Sequence, residues 1–315
     1  MESDVLPAAT LAAPPHNRSR IIGSIIAILL VLAVITGAFF TYDVYAREKA
    51  SEAWAALTMP SELSSAVFVS ATPRKSVFYE RTLIGFNERY PVAGMRNSVT
   101  RAGDRIASIV RTEDKSPLSL ELDGKEIAKL SPAATALAMS PNGTRFAFQT
   151  PHSATSSTSS WDIAFFDKDT SEVRTVTGGF APFFISDEEV ASFSPDGATS
   201  RAFSDTSASG TPRASVYPSS TIQDIAQSPD KTLVAWSDPA AKQIQVYRVT
   251  DTGMTPVFSM KSTVHSIALS NDRLYLLVPV DSTGADVWSY PLDTATAGSK
   301  IHHLPASLRI TRMVF

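Results

Sequence analysis

The hydrophobic pattern divides the chain into one long apolar run and a series of short alternating segments. Residues 21–41 read IIGSIIAILLVLAVITGAFFT and contain no charged residue and no proline. A helix of this length covers roughly 30 Å, which is the thickness of the hydrocarbon core of a bilayer. Because every backbone polar group must be paired within the segment inside lipid, the run predicts one transmembrane helix.

The residues on either side of the run predict a tail and a linker. Residues 1–20 contain three prolines and few residues that could bury surface, so we expect a disordered N-terminal tail. Residues 42–59 begin with good helix formers and are expected to continue the helix as a juxtamembrane linker until Pro60 ends it. The folded domain is expected over residues 60–315.

A cleaved signal peptide is the alternative interpretation of the apolar run. Signal peptides usually have about 7–15 apolar residues followed by a cleavage site of small residues. The run at 21–41 is longer, and only the residues at 44–46 loosely resemble such a site. The sequence therefore favours a retained single-pass anchor.

The basic residues beside the run indicate its orientation only weakly. Arg18 and Arg20 precede it, and Arg47 and Lys49 follow it at a greater distance. Lysine and arginine close to a span tend to remain in the cytoplasm. This tally favours a cytoplasmic N-terminus and an extracytoplasmic location for the folded domain.

Beyond residue 60 the hydrophobic pattern repeats with a period near 42 residues. Each repeat has an apolar strand, a serine, a short polar turn and a second apolar strand. The clear repeats lie at 136–148, 182–193, 225–236 and 266–278, with the markers Ser140, Ser186, Ser228 and Ser270, and a weaker repeat at 97–110 has the marker Thr100.

A second alternating segment follows each clear repeat and predicts a third strand. These segments begin at Trp161, Arg213, Gln243 and Asp286, and they share an aromatic residue at one step, namely Phe166, Tyr217, Tyr247 and Tyr290. A turn and a fourth strand follow. Four strands in every 40–45 residues are typical of a β-propeller blade. Radial packing of blades buries both faces of each sheet, which one sheet cannot do alone.

The two chain ends predict how such a ring closes. Residues 308–315, LRITRMVF, read like another first strand, and the hairpin at 66–82 lacks a first strand. Together they would form a composite sixth blade and remove two exposed sheet edges. We therefore predict an all-β fold, a β-propeller of six four-stranded blades preceded by one transmembrane helix. Five or seven blades remain alternatives.

The repeats also resemble a known family. A Ser-Pro-Asp/Asn-Gly turn between two strands, followed by a strand of the form I-x-V-Y, is similar to the TolB-type, WD-repeat-like propeller repeat. The matching residues are 140–143, 228–230 and 244–247, and the resemblance covers roughly residues 96–305. It implies a propeller fold and no particular activity. The α/β domain that precedes the propeller in TolB has no counterpart here.

Composition and motifs exclude several classes of function. The net charge of −3 and the lack of a basic stripe exclude a typical nucleic-acid-binding protein. The chain has no cysteine, which excludes thiol catalysis and cysteine-ligated metals. It has neither a G-x-S-x-G elbow nor a phosphate loop. We therefore predict no catalytic residue, no metal and no cofactor, and we expect His302 and His303 to lie in a solvated loop.

Charged residues occur at the starts of the innermost predicted strands. Arg96 and Asp224 each lie four places before a marker residue, and Arg312 lies near the equivalent place in the closing strand. Charges in such a place are costly unless they are paired or in contact with water. We therefore predict that these three residues line a solvated central channel and bind a ligand. An internal salt bridge that holds the ring closed is the open alternative.

Together these features favour a membrane-anchored, non-enzymatic propeller that acts as a protein–protein interaction scaffold in the cell envelope. Its expected partner is another envelope or membrane protein. The alternative is an enzyme, or a binder of a small molecule such as a glycan or peptide, that uses the central channel. A regulatory subunit of an integral membrane complex is a third possibility.

Overall fold

A computed structural model describes residues 18–72, 75–112, 117–152, 161–194, 197–205, 210–214, 222, 224–238, 240–262, 266–281, 284–293 and 297–315. Residues 1–50 and residues 51–315 form two separate compact units. The predicted N-terminal tail lies almost entirely outside the described residues.

Helix α1 extends from Arg18 to Thr58 as one helix of 41 residues. The predicted span and the predicted linker are therefore continuous, and their boundary near residue 41 stays a prediction. The apolar side chains from Ile26 to Phe40 are exposed. Within the described part of the chain, this one helix is long and apolar enough to cross a membrane, a property that membrane anchors and signal sequences share.

Among the described residues, twenty-four strands form six antiparallel sheets of four strands each, which confirms the predicted six-bladed propeller. Blades 1 to 5 each consist of four consecutive strands, beginning with β4, and blade 6 combines β24 with β1, β2 and β3. The strands are β1 (Val67–Ala71), β2 (Ser76–Arg81), β3 (Phe86–Val92), β4 (Met95–Ala102), β5 (Arg105–Arg111), β6 (Leu118–Leu122), β7 (Lys125–Leu130), β8 (Thr135–Met139), β9 (Arg145–Pro151), β10 (Trp161–Asp167), β11 (Glu172–Thr177), β12 (Phe180–Phe184), β13 (Glu189–Ser194), β14 (Gly197–Ala202), β15 (Thr211–Ala214), β16 (Asp224–Gln227), β17 (Leu233–Asp238), β18 (Gln243–Thr250), β19 (Gly253–Lys261), β20 (Ser266–Leu269), β21 (Arg273–Val280), β22 (Gly284–Pro291), β23 (Ser299–Pro305) and β24 (Ile310–Val314).

The C-terminal strand closes the ring as the sequence predicted. Strand β24 pairs antiparallel with β1, so that Phe68 lies opposite Met313. The ring of Phe315 lies 4.8 Å from the ring of Tyr275 in blade 5. The last residue of the chain is thus packed against the neighbouring blade, and the first strand of blade 6 comes from the opposite end of the chain.

The first strand of every blade lies at the propeller axis. These strands surround a narrow cavity of about 50 Å³ that all six blades line. Ala138, Ala226 and Ala268 are among the lining residues, in agreement with the small side chains that the repeat alignment placed there. The space is sufficient for only a few water molecules.

Large side chains fill the space between adjacent blades. Phe193 of blade 3 lies 4.9 Å from Trp236 of blade 4, measured between ring centroids, at an interplanar angle of 62°. On its other side Trp236 stacks on Tyr247 of its own blade at 4.9 Å and 15°. These contacts account for the radial burial that the repeat pattern required, because each sheet covers the face of the next.

One strand assignment from the sequence was wrong. The third strand of blade 3 was predicted to begin at Arg213, but that residue lies in β15, the fourth strand. The third strand is β14, which starts at Gly197 directly after β13. Its sequence, GATSRA, lacks the aromatic residue on which the alignment depended. The proposed aromatic marker Tyr217 lies outside the described residues.

The marker serines have a clear structural role. The Ser228 hydroxyl accepts a hydrogen bond from the backbone N–H of Leu233 at 2.9 Å and donates one to Asp230 Oδ1 at 2.6 Å. Ser140 makes the equivalent bonds to the N–H of Arg145 and to Asn142. The serine therefore closes the polar turn between the first and second strands of a blade.

Replacing Ser228 with alanine is expected to cost about 1–3 kcal/mol of unfolding free energy. The substitution leaves the buried N–H of Leu233 without its acceptor, and a buried unpaired donor carries a penalty of that size. Urea unfolding of Ser228→Ala and Ser186→Ala checks this result. The Ser186 hydroxyl contacts the N–H of Glu188 in an exposed turn, so its loss should cost less. Equal costs for the two variants would contradict the assigned role.

Candidate functional site

The structure brings two of the three predicted site residues together at the axis. Arg312 Nη2 lies 2.9 Å from Asp224 Oδ1, and the exposed fractions of these side chains are 23% and 3%. Asp224 begins the first strand of blade 4, whereas Arg312 lies in the first strand of blade 6. The ion pair therefore links two blades that are not adjacent.

Blade 5 is joined to the same carboxylate. Asp224 Oδ2 accepts a hydrogen bond from the N–H of Ile267 in β20 at 3.0 Å, and Oδ1 accepts one from its own neighbour Ile225 at 3.1 Å. Burial raises the pKa of the Asp224 carboxyl, and Arg312 and these two N–H groups oppose the rise. One carboxylate thus connects blades 4, 5 and 6 beside the closing strand.

Arg96 does not join that pair. Its side chain is completely buried between blade 1 and blade 6. Arg96 Nη2 lies 3.3 Å from Glu121 Oε2 in blade 1 and 2.6 Å from the carbonyl oxygen of Tyr90 in blade 6. The guanidinium carbon lies 4.2 Å from the ring centroid of Phe78 in blade 6. Burial lowers the pKa of Arg96 and raises that of Glu121, and the attraction between the two charges opposes both shifts.

Two grooves border the closing strand β24 near its start. Groove one has a volume of about 440 Å³ and lies between β24, β1 and β4. Groove two has a volume of about 360 Å³ and lies between β24, β1 and the strands β20 and β21. Ala71 and Thr311 line both grooves. Arg96 and Arg312 line groove one, and Arg309 lines groove two.

Sequence reasoning missed several residues of these grooves, including Asn97 and Arg309. Arg309 precedes the closing strand in a turn with left-handed backbone geometry at φ 48°. The available signal was its place three residues before Arg312, at the entry to a predicted first strand. The repeat alignment compared one position per strand and therefore did not reveal a groove formed between strands.

The histidine pair lies in a strand rather than a solvated loop, so that expectation was wrong. His302 is buried in β23, and its ring contacts the backbone of Ala55 near the end of α1. His303 Nδ1 lies 2.7 Å from Asp286 Oδ1, and Lys300 Nζ lies 2.8 Å from the other carboxylate oxygen, Asp286 Oδ2. Among the described residues, no group of three or more His, Asp or Glu side chains could hold a metal ion.

We expect His302 to make the folded state less stable as the pH falls below about 6.5. Burial lowers the pKa of His302, the charges of His303 and Arg81 lower it further, and the contact with the Ala55 backbone opposes them. Below that pH His302 is protonated in the unfolded chain but still neutral in the folded chain. The free energy of unfolding therefore decreases as the pH falls, until the pH reaches the pKa of His302 in the folded state. Thermal melting from pH 8 to 5 should show a shallower decline for His302→Gln, and an unchanged decline would contradict this.

Comparison with known proteins finds similar solved structures but no matching family. No protein-family model matches the chain, and no curated protein sequence matches it. Similar solved structures include TolB from Acinetobacter baumannii, at 13% identity and a TM-score of 0.49, covering 72% of this chain and 61% of that one. A chain of a nidogen/laminin complex has 8% identity and a TM-score of 0.49, covering 79% of this chain and 98% of that chain.

A β-propeller domain from Myceliophteria thermophila is a further match, at 9% identity and a TM-score of 0.49, covering 77% of this chain and 84% of that chain. The match to TolB covers 61% of the TolB chain, so this chain spans less than two thirds of it. At these identities the similarity concerns the fold, which the sheet topology establishes independently. The propeller fold that the resemblance implied is confirmed by the sheet topology.

Proposed function

We propose that this chain is a membrane-anchored, non-enzymatic β-propeller that acts as a protein–protein interaction scaffold in the cell envelope. The observation that carries the proposal is the exposed apolar length of α1, which continues without a break to Thr58 at the start of the propeller unit. An apolar helical surface of this length is stable in lipid and unfavourable in water. The anchor would hold the propeller close to other membrane-bound proteins.

The dimensions of the axis cavity support a scaffold over the alternative of a channel site. A cavity of about 50 Å³ holds water but not a glycan or a peptide, which need several hundred Å³. The cavity also contains a satisfied ion pair between Asp224 and Arg312. A partner would therefore bind outside this cavity, on a face of the ring where a rigid propeller presents its strand connections.

The anchor is tested by fractionating cells that produce the full chain. Carbonate extraction should leave the protein in the membrane pellet, and mass spectrometry should show residues 21–41 still attached. The double variant Leu30→Arg/Val34→Arg places two charges at the centre of the apolar run and should release the chain from the pellet. The double variant Leu57→Arg/Leu83→Arg, which changes exposed apolar residues outside the run, serves as the matched control.

Crosslinking in intact cells, followed by mass spectrometry, tests the scaffold role. One protein or a small set should be recovered with the wild-type chain and lost with the Leu30→Arg/Val34→Arg variant. Protease added outside the cell should digest the propeller if it lies outside the cytoplasm. A wild-type chain that is soluble and lacks its first forty or so residues would overturn the anchored scaffold, because the apolar run would then be a cleaved signal.

A further inference from the structure

We propose that the two grooves beside β24 bind one extended segment of a partner protein, with an acidic side chain between apolar side chains. The inference rests on the proposed function, because it specifies the kind of segment that the scaffold would hold. It differs from a ligand in the axis cavity, since both grooves are bordered by Ala71, which does not line that cavity, and both are several times larger than it.

The size and lining of the grooves indicate apolar side chains. Val69, Met95 and Val99 provide the apolar wall of groove one. Leu277, Pro279 and Ile310 provide that of groove two. Volumes of about 440 and 360 Å³ fall in the range of ligand sites, and Ala71 and Thr311 form the common border. Because only this border separates the grooves, one short extended chain can place a side chain in each.

The charges around the grooves indicate an acidic group. All charged residues that line them are arginines, namely Arg96, Arg309 and Arg312. Arg96 and Arg312 are paired with Glu121 and Asp224. Arg309 is exposed and has no ion pair among the described residues. A carboxylate on the partner would complement this guanidinium, which binds carboxylates through two parallel hydrogen bonds.

Three buried polar atoms of residues that line the grooves have no hydrogen-bond partner among the described residues. Asn97 and Arg96 line groove one, and two of their atoms, Asn97 Oδ1 and Arg96 Nη1, are buried without a hydrogen-bond partner. The whole Arg96 side chain is buried. Ser266 Oγ in groove two is in the same state. Buried polar atoms are rarely left unpaired, because each costs about 1–3 kcal/mol. These atoms lie below the groove surfaces, so their side chains would have to rotate toward the grooves before the N–H and C=O groups of a bound segment could pair with them.

Peptide display on the purified full chain in detergent micelles tests the proposal. The probe is a phage library of random twelve-residue peptides, followed by fluorescence polarisation with synthetic copies of the enriched peptides. We expect enrichment of an acidic residue flanked by large apolar residues. Arg309→Glu should weaken binding by about tenfold or more, which corresponds to about 1.4 kcal/mol. Ala71→Phe fills the shared border and should abolish binding.

Two controls keep the result interpretable. Lys261→Glu reverses an exposed charge on the edge strand β19, away from the grooves, and should leave binding unchanged. Thermal melting of each variant shows whether it is folded, and Arg309→Glu remains decisive if Ala71→Phe does not fold. Binding that Arg309→Glu leaves unchanged, or no enrichment of any peptide, would overturn the groove site. The crosslinking experiment in cells would still test the scaffold proposal independently.

Discussion

Deletion of residues 310–315 is expected to unfold the propeller cooperatively rather than trim one edge. These residues form the innermost strand of blade 6, which pairs along β1 and carries the buried side chain of Met313. Loss of one buried methionine alone costs about 2–5 kcal/mol. Loss of the whole strand also exposes the edges of β1 and the core of blade 5, so the total is comparable to the 5–15 kcal/mol that stabilises a typical domain.

Circular dichroism melting and limited proteolysis of the truncated chain measure this effect. Deletion of Phe315 alone is the matched control, because it removes the ring contact with Tyr275 but leaves the strand pairing in place. We expect that control to melt cooperatively at a moderately lower temperature. A chain lacking 310–315 that melts within a few degrees of the full chain would show that the ring does not depend on the C-terminal strand.

Replacing Arg312 with alanine is expected to cost about 3–5 kcal/mol of unfolding free energy at neutral pH. The substitution leaves the buried carboxylate of Asp224 without its cation, although the N–H groups of Ile267 and Ile225 remain as donors. Urea unfolding measures the loss. The matched control is Arg309→Ala, which removes an exposed arginine three residues earlier and should change stability by less than about 0.5 kcal/mol.

The pH dependence of this loss separates the ion pair from simple packing. Burial already raises the pKa of Asp224, and removal of Arg312 would raise it further. A carboxyl whose pKa is raised on folding makes the folded protein less stable as the pH rises through that pKa. The destabilisation is absent at low pH, where the carboxyl is neutral in both states. The defect of Arg312→Ala should therefore shrink between pH 7 and pH 4.5. A loss of stability that does not change with pH would show that Arg312→Ala acts through packing and not through the ion pair.

The double variant Arg312→Met/Asp224→Asn completes this test. It removes both charges and should recover much of the stability that Arg312→Ala loses, because no charge then remains buried without a partner. The same variants address the predicted ligand role of Asp224 and Arg312. If Asp224→Ala loses only stability and no partner binding changes, the pair serves ring closure, which was the alternative left open by the sequence.

The repeat pattern was sufficient to predict most strands because the information is local. In 266–278 two short apolar runs are separated by a polar turn, so both β20 and β21 could be predicted. The prediction failed for β14, whose small residues give no clear alternation. It also failed for His302, because a single polar residue in a strand does not reveal which neighbour will cover it.

The sequence by itself determined the apolar length of α1, the period of the blades and the use of both chain ends to close the ring. These features follow from hydrophobic patterning and turn chemistry over a few residues. Only the tertiary structure decided which charges meet, pairing Arg96 with Glu121 and Asp224 with Arg312. Residues far apart in the chain come within bonding distance only after six sheets have packed around one axis, and no local pattern encodes that distance.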